Sequence, residues 1–194
     1  MIVHPLISSS VTSTVPMICM PGPDGDGHAM LDRILPYAKQ LLTFPALLVC
    51  PDMCSADKPE AWSKTLAEAA RVHDLAKRGL IFGFNHGADM ACRFTLEHPS
   101  DVLACAALSA QDWSTTSSPN PGALCNVPWM IGCGAQDSEA LVRGAKGFQV
   151  GLAEQGCQVD LLDWEGGHDG LPEHALENVM HFFNDTQNQQ RLAA

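Results

Sequence analysis

The sequence predicts an α/β protein, with a mainly parallel, doubly wound sheet of about six strands covered by helices on both faces. Two observations predict this fold class. Short and continuously apolar runs recur along the chain, and segments with helical spacing of their apolar residues separate them. Strands that are apolar on both sides are typical of a parallel sheet with both faces covered. At 194 residues, the chain is expected to form a single domain over residues 1–194.

Six apolar runs are predicted to be strands, because turn residues bound each of them and none alternates clearly between apolar and polar positions. In chain order they are VPMICM (15–20), ALLVC (46–50), LIFGF (80–84), VLACAALS (102–109), PWMIGC (128–133) and QVDLLDW (158–164). Their regular recurrence indicates that strand and helix alternate along the whole chain.

Five segments are predicted to be helices, roughly at residues 28–42, 60–78, 87–97, 138–155 and 173–186. The last stretch, residues 187–194, is polar (QNQQRLAA) and is expected to fray. One irregular connection, residues 111–127, is rich in Ser, Thr, Pro and Asn. It is too short to form a cap domain, so we expect an open cleft beyond the carboxyl ends of the strands.

Charge and apolar patterning limit the partners that the chain is expected to bind. The formal net charge is −11, which argues against nucleic acid and anionic membranes because both repel an acidic surface. The first residues lack the basic and apolar regions of a signal peptide, and no apolar run approaches the ~20 residues of a membrane span. We therefore expect a cytoplasmic protein.

The eight cysteines are interpreted as reduced rather than as four disulfides. Cys19, Cys50, Cys105 and Cys133 lie in or at the ends of strand-like runs, where cysteine behaves as a small buried apolar residue. The spacing of Cys50 and Cys54 lacks the second pair that a zinc site needs.

The stretch LIFGFNHGADM, residues 80–90, carries the most specific local pattern. A strand, a turn with glycine at its first and fifth positions, and a helix form a nucleophile elbow, in which the middle residue is normally serine. Here Gly83 and Gly87 flank Asn85. Asparagine tolerates the left-handed backbone that this turn needs, but a primary amide is not an effective nucleophile.

An aspartate and a histidine directly follow the last two predicted strands. Asp137 comes just after PWMIGC, and His168 comes just after QVDLLDW. The chain order of nucleophile position, acid and histidine is the order found in α/β-hydrolases. The ordered set is more specific than the elbow alone.

The chain resembles the α/β-hydrolase superfamily, nearest to its small cap-less branch of carboxylesterases, phospholipases and thioesterases, which is dienelactone-hydrolase-like. GFNHGADMACRFTLEHP is similar to the elbow and its helix, and NVPWMIGCGAQD to the acid strand. LLDWEGGHDGLPEHALENVMHFF is similar to the histidine loop and last helix, and MICMPGPDGDG to the strand and turn before the oxyanion hole. The resemblance covers roughly residues 15–184.

The resemblance implies that Asp137 orients His168 and that His168 is the general base, with Asn85 in the nucleophile position. It also places the oxyanion-hole region at the backbone N–H of His86 and at Gly22-Pro23. Pro23 would occupy a donor position, and proline has no N–H. Losing one such donor costs roughly 2.7–4 kcal/mol of transition-state stabilisation, so serine-type ester hydrolysis is not expected.

Two functions are compatible with these residues. The first is a non-catalytic protein that binds a small molecule or a protein partner in the cleft where a hydrolase of this family would bind its substrate. The second is a hydrolase, lyase or isomerase in which the His168–Asp137 pair acts as general base while Asn85 orients water or substrate. We favour the first. A third interpretation is that Asn85 is an engineered replacement of serine. Cys54 and Cys92 are candidate substitute nucleophiles.

Carboxylates follow several predicted strands, whereas Lys58 is the one basic residue that we find in the same loops; the carboxylates are Asp24, Asp26, Asp52, Asp112, Asp137 and Asp169. A cleft with this lining would favour a cationic ligand over a carboxylate or a phosphate. The alternative is that an acidic protein simply has acidic loops. Asp24, Asp26 and His28 have a spacing seen by chance at many places, and we expect neither a metal nor a cofactor.

Overall fold

The computed structural model describes residues 2–6, 13–22, 25–52, 67–71, 73–114, 118–168 and 170–193. Within these residues the chain forms one seven-stranded sheet, which confirms the α/β fold class. The strands are β1 (Ile2–Leu6), β2 (Val15–Met20), β3 (Ala46–Cys50), β4 (Gly79–Phe84), β5 (Val102–Leu108), β6 (Trp129–Gly134) and β7 (Val159–Trp164).

The strand order is β1-β3-β2-β4-β5-β6-β7. All neighbours from β3 to β7 are parallel, and each of the six predicted runs is a strand. The chain leaves β2 for β3 on one side and returns to β4 on the other. Such a switch point opens a crevice at the carboxyl ends of the two strands, where ligands bind in open α/β sheets.

The sequence analysis missed the seventh strand, β1, which pairs antiparallel with β3 at the edge of the sheet. Its residues alternate between partly buried and exposed positions, so it lacks the continuous apolar character of the inner strands. It also contains Pro5, a residue that sheets admit at an edge because it cannot donate to a neighbouring strand.

Five α-helices are described from end to end, together with a 3-10 turn at Pro99–Asp101 and a helical stretch at residues 67–69. The helices are α1 (Gly27–Leu41), α2 (His86–Glu97), α3 (Pro121–Leu124), α4 (Glu139–Glu154) and α5 (Glu173–Ala193). The short α3 is the helix of the irregular connection, and the described residues include no cap domain. This agrees with the predicted fold class.

Two helix predictions need correction. Of the segment 60–78, residues 67–69 are helical and residues 73–78 are not, while the others lie outside the described residues or in a turn. Leu75 instead forms a parallel bridge with Thr14. The expected fraying of residues 187–194 is also not seen, because α5 continues to Ala193. Gln, Arg, Leu and Ala have high helix propensity, and Thr186 is buried one turn earlier.

A hydrophobic core covers each face of the sheet. Ile34 of α1 and Phe183 of α5 lie in one core, whereas Trp129 of β6 and Phe148 of α4 lie in the other. Because the strands from β2 to β7 are parallel, the carboxyl ends of β2, β4, β6 and β7 present their loops at the same end of the sheet. None of the described helices is long and apolar enough to cross a membrane.

Candidate active site

Asn85 lies at the sharp turn between β4 and α2, with φ 55° and ψ −125°. Its backbone N–H donates to the Leu108 carbonyl at 2.9 Å, and its own carbonyl accepts from Ala88 N at 2.8 Å. The residue is only 8% exposed. The predicted positive φ is therefore confirmed, and the strand, turn and helix have the geometry of a nucleophile elbow.

The two glycines of the elbow permit a close approach of backbones. A Cβ atom on Gly83 would lie 2.2 Å from the Gly87 carbonyl oxygen, and one on Gly87 would lie 2.3 Å from the Met20 carbonyl oxygen. Both contacts are far below van der Waals distance and involve backbone that cannot rotate away. The start of α2 therefore packs directly against the carboxyl end of β2.

Asp137 is held just past the end of β6, and its side chain is 0% exposed. One oxygen, Oδ2, accepts a hydrogen bond from the backbone N–H of Gly134 at 3.0 Å. Gly134 in turn lies so close to the histidine loop that a Cβ atom on it would meet the Gly166 carbonyl oxygen at 2.3 Å. The loop after β7 is thereby packed onto the loop that carries Asp137.

His168 lies next to Asp137, with 3.9 Å between its Nδ1 and Asp137 Oδ1. This distance is longer than a hydrogen bond. Neither atom has another hydrogen-bond partner among the described residues, and both are buried. The geometry brings acid and histidine together and leaves their proposed roles as predictions.

Gln111, in the loop after β5, is a residue that the sequence analysis missed. Its Nε2 donates to Asn85 Oδ1 at 2.9 Å and lies 3.4 Å from His168 Nε2. The side-chain amide thus lies between the nucleophile position and the histidine. No motif marks this position, because it depends on how one irregular loop folds back over the elbow.

Asp89 of α2 fixes the backbone of that loop. Its Oδ1 accepts from Gln111 N at 2.7 Å and from Asp112 N at 2.9 Å, and its Oδ2 lies 3.5 Å from His86 Nδ1. Burial raises the pKa of the Asp89 carboxyl above its ordinary value, and the bonds from Asp112 and Gln111 act in the opposite direction. The Asp89 carboxylate therefore positions Gln111 by binding the backbone N–H of Gln111.

The hydrogen-bond roles around Asn85 follow from the orientation of the Gln111 amide. Gln111 presents its nitrogen to His168 Nε2, which accepts in the tautomer that carries its hydrogen on Nδ1. The same nitrogen donates to the oxygen of Asn85. The amide nitrogen of Asn85 is left as a donor.

The oxyanion region is only partly described. No described residue accepts from the backbone N–H of His86, which is expected at the first turn of a helix. A Cβ atom on Gly22 would lie 4.0 Å from that of Asn85, so the loop after β2 reaches the elbow. Pro23 lies outside the described residues, and its missing donor stays a prediction.

A cavity of about 340 Å³ lies beside Asn85 at the switch point between β2 and β4. Its apolar wall includes Met30, Phe84 and Leu171, and its polar wall includes Asp26, Arg33 and Asn85. Asp26 also caps α1, since its Oδ1 accepts from His28 N at 2.8 Å. Arg33 is a cation that the sequence analysis did not place at the cleft.

Several of the acidic residues thought to line the cleft have structural partners. Asp52 Oδ1 accepts from Gly27 N at 3.1 Å. Asp112 Oδ1 accepts from Ser114 N at 2.9 Å, and its hydrogen bonds with Ser114 lower its pKa. Asp24, Asp169 and Lys58 lie outside the described residues. Within the described ranges, no group of three or more His, Cys, Asp or Glu side chains has the arrangement of a metal site.

The candidate substitute nucleophiles differ in what the structure describes. Cys92 is buried in α2, and burial raises the pKa of its thiol well above the ordinary value. A buried thiol of this kind is inert. Cys54 lies outside the described residues. The seven described cysteines are free thiols.

Comparison with known proteins identifies the fold. No protein-family model and no curated protein sequence matches the chain. The crystal structure of esterase PE8 is similar over 94% of this chain and 97% of that chain, with a TM-score of 0.70 and 17% identity. S-formylglutathione hydrolase (FrmB) from Staphylococcus aureus is similar over 91% and 84%, with a TM-score of 0.69 and 16% identity.

Arabidopsis thaliana SOBER1 is similar over 90% of this chain and 100% of that chain, with a TM-score of 0.68 and 14% identity. Each of these three similarities covers at least 90% of this chain. Together with the seven-stranded, mostly parallel sheet, they show that the chain has the α/β-hydrolase fold.

Proposed function

We propose that this α/β-hydrolase-fold protein binds a small molecule in the cleft beside Asn85 and does not catalyse serine-type ester hydrolysis. The observation that carries the proposal is the position of the Gln111 amide, 2.9 Å from Asn85 Oδ1 and 3.4 Å from His168 Nε2. In a working triad the nucleophile itself bonds to that histidine nitrogen. Here an internal amide takes its place.

The cleft retains what a binding site needs. It has a cavity of about 340 Å³ at the switch point of the sheet, with an apolar wall and a few polar groups. Ligand pockets in proteins have this size and this mixture of surfaces. The cavity beside the elbow therefore supports a binding role, even though an amide stands where a nucleophilic hydroxyl would be.

Esterase assays test the proposal. With p-nitrophenyl acetate or butyrate, the wild-type protein is expected to show no acyl-enzyme burst and little turnover above buffer. Asn85→Ser is expected to fold and to recover weak activity, because serine fits the elbow and His168 is near. A further Pro23→Gly change is expected to raise the rate by up to ~10²–10³-fold if a missing donor limits it.

One outcome contradicts this function, and a second contradicts the roles given to Gln111 and Pro23. If the wild type turns over esters and Asn85→Ala leaves the rate unchanged, the nucleophile lies elsewhere, and Cys54 is the first position to replace. If Asn85→Ser alone gives a fast esterase, then neither the Gln111 amide nor the missing donor at Pro23 limits the reaction. The asparagine is then the one residue that prevents ester hydrolysis in the wild type.

The second candidate is an enzyme that uses the His168–Asp137 pair as general base, with Asn85 orienting water or substrate. It is supported by the facing atoms Nδ1 and Oδ1, which are 3.9 Å apart, buried, and without other described partners. A small closing movement on ligand binding would join them.

Proton NMR in D₂O tests this candidate. Ligands of the cleft that carry acidic C–H groups are incubated with the wild type and with His168→Gln. General-base chemistry predicts loss of the C–H signal, or appearance of a product, with the wild type alone. Equal spectra for both proteins across the ligand set reject it.

A further inference from the structure

We infer that the ligand of this cleft is a small monocarboxylic acid with an apolar body, whose carboxylate is bound by Arg33. This inference rests on the proposed binding function and names the class of ligand. It reverses the expectation of a cationic ligand, which was based on acidic loop residues. The reason is that a guanidinium lies in the wall of the cavity.

Arg33 is an exposed residue that is anchored by one hydrogen bond and one ring contact, while most of its donors are left unused. It donates through Nη2 to the Leu171 carbonyl, and its Cζ lies 5.8 Å from the centroid of the Phe84 ring. No described carboxylate forms a salt bridge with it. A guanidinium has five N–H donors in a planar fork that matches a carboxylate, so the remaining donors are available to a ligand.

Two other polar groups near the cavity are also donors. The amide oxygen of Asn85 accepts from Gln111, which leaves its nitrogen free to donate. The backbone N–H of His86 begins α2 at the same turn and has no described acceptor. A set of donors around one cavity requires a ligand that accepts, and a carboxylate has four lone-pair sites.

The carboxylate on the cavity wall does not cancel this preference. Asp26 is exposed, and its Oδ1 is engaged by the His28 N–H as the cap of α1. Its remaining charge lies at the start of a helix, where the helix dipole partly compensates it. The rest of the wall is apolar and includes Met30, Phe84 and Leu171. These side chains suit a short alkyl or aryl body.

Calorimetric titration with four matched probes tests the inference. Benzoate and butyrate are the acids, benzamide is the neutral analogue of benzoate, and benzylamine is the cationic analogue. We expect benzoate to bind at least about tenfold more tightly than benzamide or benzylamine, since a hydrogen-bonded charge supplies that difference. Added salt is expected to weaken benzoate binding and to leave benzamide binding unchanged.

Variants assign the effect to Arg33. Arg33→Gln is expected to weaken benzoate binding about tenfold or more, and Arg33→Lys is expected to lose less because the charge remains. Ala29→Phe fills the cavity while keeping the guanidinium, and it is expected to abolish binding. The matched control is Arg143→Gln on α4, where the side chain is 72% exposed. It is expected to bind benzoate like the wild type.

The outcomes separate this inference from the proposed function. Tighter binding of benzylamine or benzamide than of benzoate, an Arg33→Gln variant that folds and binds benzoate normally, or no binding of either acid overturns the carboxylate inference alone. Turnover of p-nitrophenyl esters by the wild type overturns the non-catalytic function, whichever probe binds.

Discussion

The side-chain amide of Gln111 donates a hydrogen bond to Asn85 Oδ1 at 2.9 Å. The same nitrogen lies 3.4 Å from His168 Nε2, so one side chain contacts both the residue at the nucleophile position and the histidine. This arrangement places a neutral amide network where acyl transfer needs a hydroxyl and an unoccupied nitrogen. It makes the loop after β5 as important to the site as the elbow itself.

The first prediction concerns Gln111. In an Asn85→Ser background, Gln111→Ala is expected to raise kcat for p-nitrophenyl acetate by about 10- to 100-fold, because the base can then bond to the serine hydroxyl. Gln136→Ala is the matched control, since Gln136 is exposed in the neighbouring loop after β6. Equal rates for the Asn85→Ser protein with and without Gln111 would show that the amide does not obstruct the base.

The second prediction concerns Asp89, which accepts from the backbone of Gln111 and Asp112. Burial raises the pKa of its carboxyl in the folded protein. A raised carboxyl pKa contributes stability that is fully present below the unfolded pKa and is lost as pH rises through the folded pKa. The free energy of unfolding of the wild type, relative to Asp89→Asn, is therefore expected to fall from about pH 4 upward.

Urea unfolding at a series of pH values measures this difference. Asp160→Asn is the control, because Asp160 is an exposed carboxylate on β7. Asp89→Ala is expected to cost about 1–3 kcal/mol at neutral pH, since two backbone donors lose their acceptor. A difference between wild type and Asp89→Asn that rises with pH would contradict the argument.

Most of the sheet could be predicted because its inner strands, β2 to β6, are apolar on both sides. That pattern depends on local sequence alone, and it locates β2 to β6. The edge strand β7 was also located, although three of its six residues are exposed. The strand β1 has a half-buried, alternating pattern, and only its pairing with β3 makes it a strand. The end of α5 was misjudged for a related reason, since polar side chains on an exposed helix do not prevent its continuation.

The site divides in the same way. Asn85, Asp137 and His168 follow strands at positions that an ordered motif identifies, so their placement could be predicted. Gln111 and Arg33 belong to no motif. The first reaches the elbow through an irregular loop, and the second reaches the cavity because of how α1 crosses the sheet. Both depend on tertiary packing, which the sequence pattern does not encode locally.

The third prediction concerns the thiols. Burial raises the pKa of Cys105 to about 12 and that of Cys157 to about 11, so neither forms appreciable thiolate near neutral pH. In a Cys54→Ser background, native protein treated with N-ethylmaleimide is expected to be labelled first at Cys125, which is partly exposed. Labelling followed by peptide mass spectrometry identifies the sites, and urea-unfolded protein serves as the control. Rapid native labelling of Cys92 would restore it as a candidate nucleophile.

The last prediction concerns the contact between α2 and β2. Gly87→Ala places a Cβ atom 2.3 Å from the Met20 carbonyl oxygen and 2.5 Å from that of Pro21. Because these atoms are backbone, relief requires the helix to move away from the strand. We expect a loss of about 3 kcal/mol or more in the free energy of unfolding.

Gly147→Ala is the matched control on α4, where an added Cβ meets nothing within 4 Å. Alanine there is expected to stabilise by about 0.5–1 kcal/mol through helix propensity. An unfolding midpoint for Gly87→Ala equal to that of the wild type would show that α2 can shift, and that the elbow is not fixed by its packing on β2.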